Sequence, residues 1–258
     1  MLESKELAGV RVRSPEGVKD AALCLKQAIV QRLGDWRVAT TSNIASRRAM
    51  CDADGRLLAT EVFGWTERAE DSWWRRQRLA LESPLPTACR YESEPMWCNA
   101  LGFRSLSPNP MLHRIDVSDF ARRAFCNAAI VVPVHMPFGR IGAASVVPRD
   151  ASLIDLERPF SEHGEAIGQL CRTFVTSHAN VMDEPSRLPV GVTLSRREVE
   201  CLRWAAVGKT DLEIGMIISR SRATIRFHMH NATAKLDAVS RSQAVFKAAQ
   251  LGYISLGH

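Results

Sequence analysis

A chain of 258 residues with 46% apolar side chains can bury one large core or two modest ones, which excludes a disordered tail. It holds no run of eighteen apolar residues, which excludes a membrane-spanning helix, and its opening "MLESKELAGVRVRSPEG" lacks the apolar stretch of a secretion signal. The formal charge of +6 is uneven: from Gly191 onward ten Lys and Arg stand against five Asp and Glu, whereas the preceding 190 residues carry 24 against 23. The basic excess therefore sits in the last quarter of the chain and points to an acidic polymer as the partner of that segment.

The first predicted element is a helix after Pro15, where Val18, Ala22, Leu25, Ile29 and Leu33 recur at helical spacing and Gly34 ends the run. "WRVATT" (Trp36 to Thr41) reads as a strand. Between Glu61 and Leu106 the periodicity is weakest, and four of the six tryptophans, Trp65, Trp73, Trp74 and Trp97, fall there. "AAIVVPV" (Ala128 to Val134) and "RIGAASVV" (Arg140 to Val147) are two more strands, joined through the turn "HMPFG". Ile167, Leu170, Cys171, Phe174 and Val175 form the apolar stripe of a helix from about Phe160 to Ser177. These elements predict an α/β/α sandwich over residues 1–176. "SHANVMDEPSRLPVGV" (Ser177 to Val192), with two prolines, a glycine and mixed charges, reads as a linker.

Residues 193–258 read as short helices with short breaks, an all-α unit beside the mixed one, so the whole chain is α+β. "LSRREVECLRWAAVG" opens with Ser195 and has Glu198 three residues later, a capping box, and Gly208 ends it. "TDLEIGMII" follows, capped by Thr210 or Asp211, then "SRATIRFHMHNATAKL", capped by Ser221, and last "RSQAVFKAAQLGYI". On a wheel of about 100° per residue, Ile225, Met229, Ala232 and Leu236 of the third helix share a buried stripe. Ala223, Arg226, Phe227, His230 and Ala234 lie opposite and stay open to a partner. Arginine donates two parallel hydrogen bonds to guanine O6 and N7 in a major groove, and small alanines let the backbone come close. Lys209 and Thr210 open the preceding helix, whose free N–H groups suit a phosphate. Two short helices joined tightly, the second with a basic face, make a helix-turn-helix.

The seven cysteines are odd in number, scattered and never spaced as CxxC, so they are expected to be reduced thiols, as in a cytoplasm, and not a zinc or disulfide framework. His228 and His230 point about 160° apart on a helix, so their HxH spacing makes no metal site, and no cofactor is expected. His228 lies about 60° from Ile225 and is expected to pack inside the domain. No nucleophile elbow, metal spacing or phosphate loop is present, so the chain is not read as an enzyme.

The stretch from Leu194 to Ile254 strongly resembles the DNA-binding domain of LuxR-type regulators. The matching residues include Leu194, Arg197, Glu198, Gly208, Lys209, Thr210, Glu213, Ile214, Ser221, Thr224, His228, Asn231, Lys235, Leu236, Arg241, Ala244 and Val245. The resemblance implies a four-helix unit in which Arg226, Phe227, His230 and Ala223 face bases, and Lys209, Thr210, Arg222 and Lys235 serve phosphates. It also implies a homodimer on an inverted repeat of double-stranded DNA, joined through Ala244, Ala248 and Leu251 of the last helix, with RNA polymerase as a further partner. The stripe from Ile167 to Val175 is expected to add to that dimer.

"ARRAFCNAAIVVPVHMPFGRIGAASVV" (Ala121 to Val147) resembles the autoinducer-binding domain, a PAS/GAF-like fold, through Pro133, His135, Pro137, Gly139, Gly142 and Ser145. The resemblance implies a small apolar ligand, an acyl homoserine lactone or related quorum-sensing compound, in a pocket containing Trp73, Trp74, Ser83, Trp97 and Ser145. The chain departs from the family where an Asp-Pro pair receives the ligand's amide: it has Ser83-Pro84, which removes a charge-assisted hydrogen bond of roughly 1.5–3 kcal/mol. The alternative reading is therefore a ligand-independent regulator whose first domain is a dimerisation or protein-interaction module.

Overall fold

The computed structural model describes residues 4–46, 48–65, 82–183 and 191–255. The chain divides into two compact units, the first made of residues 1–136 and 140–183 and the second mainly of the residues after Asp183. In chain order the first contains α1 (Ser4–Gly9), α2 (Val18–Leu33), β1 (Trp36–Thr41), α3 (Leu58–Glu61), α4 (Pro84–Ala88), β2 (Met96–Asn99), β3 (Gly102–Ser105), α5 (Phe120–Ala124), β4 (Ala128–Met136), β5 (Arg140–Pro148) and α6 (Glu157–Met182). The second contains α7 (Arg196–Ala206), α8 (Asp211–Ile217), α9 (Arg222–Lys235) and α10 (Arg241–Gln250). The whole is α+β, with an antiparallel sheet in the first unit and, among the described residues, helices alone in the second.

The five strands lie in the order β1-β5-β4-β2-β3, every pair antiparallel. Side chains alternate across a strand, so each strand feeds two cores. Trp36, Val38, Trp97, Ile130, Val132, Ala144 and Val146 turn to one side, where the apolar stripes of α2 and α6 cover them. Met96, Cys98, Phe103, Ala129, Val131, Ala143 and Val147 turn to the other, under Leu85, Ala88, Phe120, Ala124, Leu112 and Ile44. That second layer is built from short helices and loops, and the sheet is the middle of a sandwich.

The sheet tolerates α6 at close range because of one glycine: a Cβ on Gly142 would lie 2.8 Å from both the Thr41 carbonyl and Val175 Cγ1. The helix itself runs further than its periodicity suggests. Ser177 to Met182 are helical, with Ser177, His178 and Ala179 buried, so the segment expected to begin the linker is structured up to Met182. Two long-range bonds hold it: Val12 N donates to Ser177 Oγ at 2.9 Å, and His178 Nε2 sits 3.0 Å from the Cys51 carbonyl. Ile167, Leu170, Cys171, Phe174 and Val175 are fully buried against the sheet, which corrects the expectation that this stripe serves a dimer.

Candidate nucleic-acid interface and a cavity in the first unit

The helical unit is assembled from caps. Ser195 Oγ accepts from Glu198 N while Glu198 Oε2 accepts from Ser195 N at 2.7 Å. Thr210 and Glu213 repeat the reciprocal pair at α8, and Ser221 and Ser240 cap α9 and α10. Each such cap contributes about 1 kcal/mol. Between α8 and α9 the chain turns through Ser219 at φ +53, and the Arg220 carbonyl comes within 2.6 Å of where a Cβ on Gly215 would lie. Only glycine admits that approach, so Gly215 fixes the tight turn of the helix-turn-helix. Ile225, Met229, Ala232 and Leu236 meet Leu202 and Ile214 in the core, as the wheel predicts.

The opposite face of α9 is open. Ala223, Arg226 and His230 are exposed, Arg222 is exposed at the helix start, and Phe227 is 61% exposed. Arg226 has no hydrogen-bond or ion-pair partner among the described residues, so its five donors are free for another molecule. His228 is half-buried, with its ring 5.7 Å from that of Phe227. At the start of α8 the picture is mixed. The N–H and hydroxyl of Thr210 both donate to the Glu213 carboxylate, at 2.7 and 2.8 Å. Lys209 Nζ stands 3.9 Å from that carboxylate and is half-exposed, a pair weak enough to open.

Two expectations are corrected here. Lys235 is not a free cation: its Nζ donates to Glu198 Oε2 at 2.9 Å, across from α9 to α7. Burial alone would raise the Glu198 carboxyl, but the bonds from Lys235 and Ser195 outweigh it and hold the group below the usual carboxylate range. Ala244 and Ala248 are fully buried in this unit's own core, so they cannot meet a second copy; Leu251 is half-buried against the same core. The outward apolar residues of that region are Val239, 93% exposed, and Phe246, 60% exposed. Lys247 is a residue that sequence reasoning misses. It is buried, with Nζ donating to the carbonyls of Leu236 and Asp237, and so caps the end of α9.

In the first unit a cavity of about 50 Å³ lies on the sheet face away from α2 and α6. Ser83 and Ser145, far apart in sequence, both line it, with Ala39, Thr40, Trp65, Cys89, Arg123 and Phe125. Trp97 does not: its register partner is Ile130, and both turn to the helix-covered face. There its indole N–H donates to Glu157 at 3.1 Å and the Arg104 guanidinium lies 4.5 Å over its ring. Trp73 and Trp74 lie outside the described residues. The Cys89 thiol is pushed up to about 12 by burial, so it is an apolar wall and not a nucleophile. His135 Nε2 sits 2.9 Å from the Cys89 carbonyl and 3.1 Å from that of Glu92, tying the hairpin end to the segment after α4.

Arg123 is a second residue with no sequence signal. Its Nε donates to the Glu82 carbonyl at 2.8 Å, and its Nη1 to the Asp116 carboxylate at 2.7 Å and the Ser118 carbonyl at 2.9 Å. Bonds from the Ser118 N–H and hydroxyl, then from Arg123, hold the Asp116 carboxyl down at about 2, so it is ionised and balances the guanidinium. Only the tertiary fold brings these residues together, and an arginine in "FARRAF" carries no local mark of such a role.

Comparison with known proteins gives the geometry a class. Residues 192–248 match the family described as bacterial regulatory proteins, luxR family. The quorum-sensing regulator RhlR of Pseudomonas aeruginosa is 32% identical over 202 residues, covering 76% of each chain. The chain belongs to the LuxR family of regulatory proteins. The transcriptional activator VanR of Vibrio anguillarum is 35% identical over 51% of this chain and 55% of its own. RpaR of Rhodopseudomonas palustris, a quorum sensing-dependent regulator, is 34% identical over 48% of each. The chain thus spans only about half the length of these two relatives. The crystal structure of Escherichia coli SdiA shares the fold with a TM-score of 0.51 at 20% identity, covering 98% of this chain and 97% of that one.

Proposed function

We propose that the chain is a transcription regulator of the LuxR type that acts in the cytoplasm, binds double-stranded DNA as a homodimer, and is controlled by a small, largely apolar ligand in its first unit. The observation that carries this is the exposed Arg226, without a partner among the described residues, on the open face of a capped helix-turn-helix. Arg226 reads bases, with Phe227, His230 and Ala223 beside it. Lys209 and Arg222 serve phosphates, and Thr210 holds the helix start that presents Lys209. Phe246 and Val239 replace the buried alanines as the contact between DNA-bound copies, with Leu251 at its edge. RNA polymerase is the partner through which a bound regulator of this class would act.

Ligand control is supported by Ser83 and Ser145 meeting in one partly apolar cavity. A second reading, a ligand-free dimerisation module, draws on the size of that cavity. About 50 Å³ is far below the ~300–1,000 Å³ of a drug-sized ligand site. Selecting bound sequences from a random double-stranded DNA library with the full-length protein tests the proposal. The expected product is an inverted repeat with half-site centres about one turn, ~10 bp, apart. Recovery of unrelated sequences would contradict it.

A further inference from the structure

The start of α8 is held from two directions. The Lys209 N–H donates to the Trp204 carbonyl of α7 at 3.0 Å. Its own carbonyl accepts from Arg241 Nη2 of α10 at 2.7 Å. Arg241 Nη1 donates to the Asp211 carboxylate. One guanidinium therefore straddles Thr210, the residue that caps α8, and binds its neighbour on each side. A planar fork reaches two acceptors at a fixed spacing, which the point charge of a lysine does not. The Arg241 and Asp211 side chains are 37% and 22% exposed, so solvent screens the pair only in part. The same helix holds the far end of the motif, where the buried Lys247 caps α9. On a wheel of about 100° per residue, Arg241, Ala244, Lys247 and Ala248 share the inner side of α10, with Phe246 opposite.

We infer that Arg241 is a positioning residue for the phosphate contact: it fixes the Lys209 backbone, and with it the origin of the Lys209 side chain, before DNA arrives. This rests on the reading that Lys209 meets a phosphate. A lysine stem is flexible, so where its ammonium reaches is set by where its backbone is held. A backbone fixed in advance removes ordering that binding would otherwise have to impose. Asp211 balances the charge of Arg241, so removing both takes away the clamp and leaves the net charge unchanged.

Arg241→Gln together with Asp211→Asn makes that charge-neutral change. Full-length wild type, this pair, Lys209→Ala and the three substitutions combined are titrated on the selected DNA over a salt series, each first checked by melting. Lys209→Ala should reduce the salt slope by about one per bound copy. The clamp pair should reduce it too, by up to about one, although no net charge is lost. The combination should lose about one and not two, because both changes act on the same contact. An unchanged slope in the clamp pair, beside a reduced one in Lys209→Ala, would overturn the inference and leave the phosphate reading standing. A combined loss of about two would also overturn it, since Arg241 would then meet a phosphate of its own. An unchanged slope in Lys209→Ala would overturn the phosphate reading and the inference with it. Arg241→Lys, which keeps the charge and gives up the fork, carries the test if the pair does not fold: its slope should fall, and a wild-type slope would overturn the inference.

Discussion

Glu198 shows how one carboxylate ties the helical unit together. It accepts from the Ser195 N–H that opens α7 and from Lys235 near the end of α9. Its folded pKa lies below its unfolded value of about 4.3, so the unfolded chain binds more protons as acid is added. The contribution is therefore present above that unfolded value and disappears as pH falls through the folded one. Glu198→Gln should lower stability by about 1–3 kcal/mol at neutral pH and flatten the acid limb of the melting profile. Melts of wild type and variant across the acid range check this; parallel profiles would mean that the carboxylate is not what links the two helices.

At the scale of elements, the turn between α8 and α9 depends on a missing atom. Gly215→Ala would place a Cβ 2.6 Å from the Arg220 carbonyl, which must then shift, and the start of α9 with it. The expected result is a drop of about 1–3 kcal/mol in stability and weakened DNA binding, measured by melting and titration together. Unchanged DNA affinity would show that the turn tolerates the shift. What is legible in the sequence follows the same distinction between local and distant causes. The caps at Ser195, Thr210 and Ser221 and the buried stripe of α9 are readable because each lies within one or two turns of helix. β2 and β3 are not, since four residues give too short an alternation to register. Without β2, the side of the sheet taken by Trp97 is unknowable, because one step of register reverses it. Ala244 and Ala248 mislead for a different reason: a stripe of small residues looks the same whether it meets its own core or a second chain. The cavity is half legible. Ser83 and Ser145 come from the family pattern, whereas Arg123 depends on bonds with Glu82, Asp116 and Ser118 that no spacing announces.

For the molecule as a whole, the basic excess of the second unit and the open face of α9 support one proposal, that the chain reads DNA sequence through Arg226 and holds register through phosphate at Lys209. The two functions should fail differently. Removing a base-reading side chain matters only where the right base is present, whereas removing a phosphate-binding one matters on any duplex. The decisive measurement is a titration of wild type, Arg226→Ala and Lys209→Ala, each confirmed folded by melting, on the selected site and on random DNA over a salt series. Arg226→Ala should cost about 1–3 kcal/mol on the selected site and much less on random DNA. Lys209→Ala should weaken both alike and reduce the salt slope by about one per bound copy. If Arg226→Ala weakened selected and random DNA equally, α9 would not be the reader.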